Sequence, residues 1–397
     1  MRQLIFYDNT NLTLGSLFDG IGGFPYAASF YGIRSLWASE IVPECVSITR
    51  RHFPDMVHVG DITRLDGAKL PPVDIITFGS PCQGLSLAGL RRGLADERSG
   101  LFMEAIRIID EMREATHGEY PKFAIWENVV GATSSATGRD YQAVLAAFTK
   151  SKVSMPRSGK WANAGMARGR GVDLAWCVYD AQHFGTAQRR RRLFLVADFR
   201  GKSAGEILFV PKSLRGYFEA GGAPKQGLTA FAESGVDAAG GEIASLNSRL
   251  AEPLCMGTSQ ANASILAGQS PTLTCAHGQV PILVHPQIAG TLCASGAGLS
   301  RPAGMKSETD FCVTSVEFCE SGSADNQNSG RIRFCLRRLS PLEAERLMGF
   351  PDFWTEYGHD GRSISETKRY SMLGNSVCTP CVAYIMQGIQ QVLQRRN

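Results

Sequence analysis

The chain of 397 residues has no apolar run long enough to span a bilayer, and no charged start followed by an apolar core. These two absences argue against membrane-bound and secreted proteins. The eleven cysteines are odd in number and follow no regular spacing, so they do not suggest a disulfide framework. We therefore expect a protein of the reducing cytoplasm.

The sequence also has little net charge and little that could hold a metal. A formal charge of +4 does not by itself indicate a polyanionic partner, but the basic residues are clustered and could form local nucleic-acid contacts. A single Cys378-x-x-Cys381 pair has no second ligand pair nearby, so we interpret it as packing and predict no metal site. The basic clusters are Arg91 and Arg92, Arg168 and Arg170, residues 189–192, and Arg331, Arg333, Arg337 and Arg338.

Short apolar runs alternate with helical patterns from residue 12 to about residue 197. This alternation predicts an α/β fold with a doubly wound, Rossmann-like sheet, and residues 1–200 are its predicted catalytic and cofactor-binding domain. Apolar residues at helical spacing between 101 and 112 predict a helix packed on the sheet. Strands are predicted at residues 12–17, 35–38, 57–59, 73–78, 123–126, 176–179 and 193–197.

The composition changes over residues 201–335, which are rich in glycine, serine, alanine and threonine. Short strand-like pieces there predict a smaller, loop-rich and mostly β domain. The helical signal returns at Ser340-Pro341-Leu342-Glu343, a capping box with proline at the first helical position, and Gly349 is a suitable stop. A last helix is predicted over about 380–394, so residues 336–397 should return to the first domain.

A thiol, a carboxylate and a pair of guanidinium groups each abut a predicted strand. Open α/β sheets build their sites where parallel strands end, so these groups could meet in one crevice. Taken singly they have plainer interpretations, because most cytosolic cysteines are small buried hydrophobes and arginine runs are usually solvated. Their ordered combination favours a site. The groups belong to Cys82, Glu127, Arg190 and Arg192, and Pro81 stiffens the loop before the thiol.

A glycine-rich turn, Phe18-Asp19-Gly20-Ile21-Gly22-Gly23, follows the first predicted strand. Missing side chains let a ligand approach the backbone there, and Glu40 follows about 20 residues later, where an acidic residue can bind ribose hydroxyls. The third glycine is misplaced for the dinucleotide fingerprint, which disfavours NAD and FAD. An adenosine cofactor without a pyrophosphate, such as S-adenosylmethionine, fits better, and Phe18 could stack on its adenine.

These motifs, in this order, resemble the C5-cytosine DNA methyltransferase family over nearly the whole chain outside the variable middle. The resemblance implies methyl transfer from S-adenosylmethionine to C5 of a cytosine that is flipped out of duplex DNA. It is carried by the turn at residues 18–23, Glu40, Gly60-Asp61, Pro81-Cys82-Gln83, Glu127-Asn128-Val129, Gln188-x-Arg190-x-Arg192 and Gly374-Asn375-Ser376-Val377.

The resemblance also implies a role for each catalytic residue. Cys82 would attack C6 as a thiolate, and Glu127 would hold a proton shared with N3. Arg192, with Arg190 in support, would brace the ring oxygen O2 and the geometry between the carboxylate and the thiol. Pro81, Gln83 and Asn128 complete the implied catalytic set.

Cofactor and DNA contacts follow from the same resemblance. A loop after Cys82 would close on the DNA backbone, and residues 201–335 would be the target-recognition domain. The implied cofactor residues are Phe18, Asp19, Gly20, Ile21, Gly22, Gly23, Glu40, Ile41, Asp61, Ile62, Asn375 and Val377, and Asp19 departs from the small residue that the family often has there. The implied DNA contacts are Ser86, Arg91, Arg92, Arg98, Thr291 and Leu292.

Three alternatives stay open. An RNA cytosine methyltransferase could use the same catalytic domain, although the long segment between Arg192 and Arg337 favours duplex DNA. An inactive DNA-binding module is opposed by the intact Cys82, Glu127 and Arg192, and a dinucleotide oxidoreductase by the glycine spacing. For the leading hypothesis we expect a stand-alone, monomeric prokaryotic or phage enzyme near the nucleoid, with double-stranded DNA as substrate and a cognate restriction endonuclease as a candidate partner.

Overall fold

The computed structural model describes residues 11–80, 100–186, 188–209 and 340–396, together with the backbone of five short strands between 254 and 337. Its main feature is an eight-stranded sheet in the order β3-β2-β1-β4-β5-β8-β7-β6. The strands are β1 (Thr13–Leu17), β2 (Arg34–Ser39), β3 (Val57–His58), β4 (Ile75–Phe78), β5 (Phe123–Val129), β6 (Ala164–Gly169), β7 (Val172–Asp180) and β8 (Arg191–Asp198).

Strands β1 to β5 are parallel, whereas β6, β7 and β8 join the sheet through antiparallel pairs. We expected the strand beside the arginine run, which is β8, to be parallel to its neighbours. This expectation is wrong, because β8 is antiparallel to β5. Because β8 runs the other way, the run at 188–192 precedes its strand and still lies at the edge where β4 and β5 end. Val129, the last residue of β5, is paired with Arg192.

Helices cover both faces of the sheet and form separate apolar clusters with it. One face packs against α1, α5 and the last helix, and the other packs against α3 and α4, as the helical spacing at 101–112 predicts. The helices of this half are α1 (Gly23–Ser29), α2 (Pro43–His52), α3 (Gly100–Ala115), α4 (Arg139–Thr149) and α5 (Ala204–Leu208).

The C-terminal segment packs against the first half of the chain. It comprises α6 (Pro341–Met348), α7 (Glu366–Asn375) and α8 (Thr379–Arg396). The Ser340 hydroxyl accepts from the Glu343 N–H while the Glu343 carboxylate accepts from the Ser340 N–H, so the predicted capping box is confirmed. Gly349 ends α6 in the left-handed region at φ +80°, as expected of a C-terminal glycine.

Several strands differ from the sequence expectations, and β7 begins at Val172 rather than at Trp176. Strand β5 does not end before Glu127 but continues to Val129, so the carboxylate belongs to the strand itself. Strand β6 was not predicted, because its sequence of small residues with two glycines has no apolar alternation. Strand β4 begins at Ile75, two residues later than the apolar run.

Five short strands lie in the segment predicted to be mostly β, and the last of them runs past its limit at residue 335. They are β9 (Leu254–Met256), β10 (Ile265–Ala267), β11 (Ile282–Val284), β12 (Val313–Phe318) and β13 (Ile332–Arg337). The first three form one antiparallel sheet and the last two form an antiparallel pair. The domain limits at 200 and 335 stay predictions. Within the ranges that the structure describes, no helix has the length and apolar character needed to cross a membrane.

Candidate active site

Glu127 lies in β5, two residues before the strand ends at the edge of the sheet. Its neighbour in the sheet is β4, whose last residue Phe78 is paired with Trp126. The chain after β4 therefore runs beside the glutamate, and a Cβ placed on Gly79 would lie 3.5 Å from Glu127 Oε2. That distance is an ordinary van der Waals contact, so the carboxylate lies close to the backbone of the segment that leads to Cys82.

The Glu127 carboxylate is buried beside one guanidinium group. Arg192 Nε lies 3.4 Å from Glu127 Oε1, an ion pair without the geometry of a hydrogen bond. Burial raises the pKa of Glu127, and the charges of Arg192 and Arg190 only partly oppose this rise. A buried carboxyl group that retains a proton more readily than usual can share it with a ring nitrogen of a ligand.

The end of β4 is braced against β5 by side-chain hydrogen bonds. Trp126 Nε1 donates to the Ser80 hydroxyl over 3.1 Å, and Asn128 Nδ2 donates to the Ser80 carbonyl over 3.3 Å. Asn128 Oδ1 accepts from the Val129 N–H over 2.8 Å. Asn128 thus holds the two strand ends together. Ser80 and Trp126, which the sequence reasoning did not single out, share this bracing role.

Arg190 and Arg192 lie at the same edge but have different contacts. Arg190 is buried, and its Nη2 donates to the carbonyls of Gly374 (3.1 Å) and Ser376 (2.7 Å). Its burial lowers the pKa of the guanidinium to about 10. Arg190 therefore connects the carboxylate pocket to the C-terminal segment that carries Asn375 and Val377, whereas Arg192 is the guanidinium paired with the carboxylate.

Gln188 is a buried residue that the sequence reasoning did not include among the predicted site residues. In the part of the chain that the structure describes, neither its amide nitrogen nor its amide oxygen has a hydrogen-bond partner. Buried amides without partners are rare, because each unpaired polar atom costs free energy. Gln188 opens the Gln-x-Arg-x-Arg motif, so the motif itself was the signal that could have identified it.

The glycine-rich turn connects β1 to α1 and has left-handed backbone at three points. Phe18, Gly20 and Gly22 have φ values of +52°, +58° and +81°. A Cβ on Gly20 would meet nothing within 4 Å, whereas a Cβ on Gly23 would lie 2.6 Å from Val377 Cγ2. Gly20 leaves open space for a ligand, and Gly23 lets the C-terminal segment pack on the start of α1.

Two acidic residues follow the neighbouring strands β2 and β3, and the first of them contacts the turn. Glu40 Oε2 accepts from the Gly20 N–H over 2.8 Å, and its Oε1 accepts from the Ile41 and Val42 N–H groups. The carboxylate is thus fixed at the turn, beside an Ile41 side chain that is 69% exposed. Hydrogen bonds from the Thr63 N–H and hydroxyl lower the pKa of Asp61, so this carboxylate stays ionised.

Asp19 differs from these acidic groups because it is buried. Burial raises its pKa to about 7, the Ser16 hydroxyl opposes the rise, and the negative charge of Glu40 adds to it. Burial therefore favours the protonated form at Asp19 more than at the exposed acids. Asp19 stands where the family often has a small residue. In this protein the position therefore carries a buried titratable group inside the turn.

Comparison with known protein families identifies the family to which the chain belongs. The sequence profile described as C-5 cytosine-specific DNA methylase matches residues 12–207 and 301–391, well over half of the chain. The chain belongs to the C-5 cytosine-specific DNA methylase family. The match omits residues 208–300, which lie within the segment predicted to recognise the target sequence.

Several curated relatives of this methylase chain come from bacteria and phages. The DNA N-6-adenine-methyltransferase of Escherichia phage P1 is 25% identical over 97% of this chain and 62% of its own length. Type II methyltransferase M.NlaX of Neisseria lactamica is 26% identical over 95% of this chain and 96% of its own. This chain spans 62% of the phage P1 protein and 43% of M.NlaIV of the same Neisseria species, two of the first relatives.

Solved structures share the methylase fold. The Dnmt2 methyltransferase of S. pombe has a TM-score of 0.57 and 17% identity, covering 97% of this chain and 99% of its own. A putative DNA modification methyltransferase from an E. coli prophage has a TM-score of 0.51 and 20% identity, covering 96% and 99%. At such identities the likeness concerns the fold alone.

S-adenosylmethionine is the methyl donor of this methylase family, and the turn fits it. The open space at Gly20 allows close approach to the backbone, and Ile41 is an exposed apolar side chain beside the Glu40 carboxylate. Val377 packs against Gly23. Asn375, two residues before Val377 in the sequence, is exposed. Phe18 and Ile62 pack against the sheet, and Ile21 is buried under the turn.

The remaining predicted site residues lie outside the described part of the chain. They are Pro81, Cys82, Gln83, Ser86, Arg91, Arg92, Arg98, Thr291 and Leu292. No cluster of three metal-ligating side chains occurs among the described residues. Cys378 and Cys381 are buried at the start of α8, consistent with the packing role that we assigned to them.

Proposed function

We propose that the protein is a DNA (cytosine-5-)-methyltransferase that acts through a covalent bond between Cys82 and C6 of a flipped cytosine. One observation carries the proposal, namely the buried Glu127 beside Arg192 at the edge where β4 delivers the chain to Cys82. Residue 82 is only two peptide units beyond Ser80, about 7 Å at most between Cα atoms. Ser80 is held directly against Trp126 and Asn128, the two neighbours of the carboxylate.

The residues divide the reaction among themselves. The Cys82 thiolate forms a bond from Sγ to C6, which moves ring electrons to C5, while Glu127 holds a proton at N3 and so keeps the ring neutral. S-adenosylmethionine, when bound at the turn, supplies the methyl group that C5 takes. Loss of the C5 proton to a base then allows the Sγ–C6 bond to break and the thiol to return. Arg192 braces the carboxylate throughout.

A stacked base cannot reach a carboxylate that lies inside a sheet edge. The target cytosine must therefore leave the duplex, a step that costs a few kcal/mol and needs compensating contacts to the DNA. We assign those contacts to Ser86, Arg91, Arg92 and Arg98 after the thiol, and to the target-recognition segment with Thr291 and Leu292.

The test is transfer of label from tritiated S-adenosylmethionine to duplex DNA. We expect Cys82→Ser to abolish labelling while DNA binding remains, because serine cannot supply the thiolate. Cys177→Ser, a change of a half-buried thiol in β7, is the matched control and should retain activity. Duplex DNA with 5-fluorocytosine should trap a covalent adduct with the wild type, because fluorine cannot leave as a proton. Full activity of Cys82→Ser would refute the mechanism.

The same assay distinguishes two alternative substrates, transfer RNA and adenine in DNA. Labelling of transfer RNA but of no duplex DNA would favour the RNA alternative. The name of the phage P1 relative raises methylation of adenine N6, which nucleoside analysis of the labelled DNA distinguishes from 5-methylcytosine. We expect 5-methylcytosine, because methylation of an exocyclic amine gives no role to a thiol that adds to C6.

The type II names of several relatives support a restriction-modification role, with a cognate endonuclease as partner. Bisulfite sequencing of DNA from cells that express the protein would give its recognition sequence. Action as a monomer is part of the same proposal.

A further inference from the structure

The segment that links α4 to β7 is basic and contains no acid. Residues 150–171 include six basic residues and no aspartate or glutamate. Two of the six form ion pairs with acids of other elements, Lys150 with Asp110 and Arg168 with Asp173. Arg157 and Lys160 are exposed and have no ion pair within the described ranges. Their charge is therefore available to a partner.

The loop that carries these two residues is fixed to the protein. Trp161 Nε1 donates to the Gly138 carbonyl over 2.8 Å, and its ring makes edge contacts with Tyr141 and Trp176. A Cβ on Gly138 would lie 3.1 Å from Met155 Cε, so the loop packs on the start of α4 from two points. The loop is anchored by buried aromatic contacts rather than left to move in solvent.

A third exposed cation, Arg139, begins α4 directly after Gly138. It too has no ion pair within the described part of the chain. The adjacent Asp140 is buried and accepts a hydrogen bond from the Ser135 hydroxyl, so it points away from solvent. Arg139, Arg157 and Lys160 form what we call the flanking basic surface.

The flanking basic surface lies at the same edge of the sheet as the carboxylate pocket. The Asn163 carbonyl accepts from the Val178 N–H over 2.7 Å, and the next residue of β7, Tyr179, is paired with Arg192. Strand β6 is the third strand from β5 in the sheet, so the two strands are about 14 Å apart. One turn of duplex DNA is about 34 Å long, so this distance corresponds to about four base pairs from the extruded base.

We propose that the flanking basic surface binds the phosphate backbone of the duplex beside the flipped cytosine, on the β6 side of the site. The inference rests on the proposed function, because it takes the base to enter at Glu127. Such contacts position the duplex but carry no sequence information. They stabilise the complex independently of the target-recognition segment, which is a different part of the chain.

The salt dependence of DNA binding tests the proposal. Each phosphate contact adds about 0.9 to the slope of log K against log salt concentration, so Arg157→Glu with Lys160→Glu should lower the slope by about 1.8 or more. Any fluorescent duplex of about 30 base pairs serves as the probe, because phosphate contacts do not depend on sequence. The matched control is Arg170→Glu with Lys202→Glu, two exposed cations at the opposite edge of the sheet, which should leave the slope unchanged.

The outcomes separate this proposal from the proposed function. If the wild type methylates DNA and both double variants have its slope, the flanking basic surface does not bind DNA and only this inference fails. A slope that changes for transfer RNA but not for duplex DNA overturns it in favour of RNA. A wild type that binds no duplex overturns both proposals. An unchanged affinity for S-adenosylmethionine in both variants shows that the fold is intact.

Discussion

Two buried carboxyl groups, Asp19 and Glu127, differ from the surface acids of this protein in the same way. In both, removal from water raises the pKa, since little in the surroundings offsets the lost hydration. Glu127 has Arg192 as its ion-pair partner, whereas Asp19 faces the further negative charge of Glu40. We therefore expect Asp19 to make the stability of the protein depend on pH.

Asp19→Asn should make stability less dependent on pH. In the unfolded chain Asp19 titrates near 3.8 and in the fold near 7, so between these values the fold binds more protons. The wild type therefore loses stability as pH rises from about 4 to 7, by an amount of order 4 kcal/mol. Chemical denaturation at pH 5 and pH 8 measures the free energy of unfolding. Relative to the wild type, Asp19→Asn should be more stable at pH 8 than at pH 5.

Asp61→Asn is the control for this prediction. The pKa of Asp61 is lowered by hydrogen bonds from Thr63, so it is ionised in both states across pH 5 to 8. Its substitution should change stability by the same amount at both pH values. Equal pH dependence in the wild type and Asp19→Asn would contradict the assignment.

At the scale of elements, α6 and α7 are joined by one buried carboxylate. Glu345 accepts from Arg369 Nη2 over 2.9 Å and from the Phe353 and Thr355 N–H groups over 2.8 Å each. It thereby also fixes the connection between the helices, where Trp354 Nε1 donates to the Ile21 carbonyl of the glycine-rich turn. The C-terminal segment is thus hydrogen-bonded directly to the glycine-rich turn.

Arg369→Met should destabilise the protein by about 3 to 5 kcal/mol, because it leaves the Glu345 charge buried without its partner. The adjacent Lys368→Met is the control, since Lys368 pairs with Glu44 at the surface and such pairs contribute at most about 1 kcal/mol. Urea denaturation of both variants measures the difference. Similar losses in the two variants would show that the buried pair has no special role.

Elements were predictable from the sequence where local chemistry determines them. The capping box at Ser340 and Glu343 is a local motif, and the runs of β4 and β8 are largely apolar because both faces of the sheet are covered. Strand β6 has no such signal, since Ala164–Gly169 becomes a strand only by pairing with β7. The antiparallel direction of β8 is likewise set by tertiary pairing rather than by its own residues.

At the scale of the whole molecule, Arg190 connects parts of the chain that are far apart in sequence. Its backbone N–H donates to Asp180 at the end of β7, and its guanidinium holds the carbonyls of Gly374 and Ser376. The sequence predicted both motifs and their convergence. It did not predict that Arg190 binds the C-terminal backbone, because that contact depends on how α7 ends against the sheet.

Arg190→Lys should weaken binding of S-adenosylmethionine about tenfold, since one ammonium group cannot hold both carbonyls and the segment with Asn375 loses its support. Affinity for duplex DNA should change little. Arg191→Lys, at the exposed neighbouring position, is the control and should bind the cofactor as the wild type does. Calorimetric titration measures both affinities, and an unaltered cofactor affinity in Arg190→Lys would refute the positioning role.

The contact of Gly23 with Val377 makes folding of the glycine-rich turn a non-local event. The segment that covers the start of α1 follows it by most of the length of this chain, so a long loop must close before either is buried. Closing such a loop costs conformational entropy, and we therefore expect this region to fold more slowly than one built from local contacts.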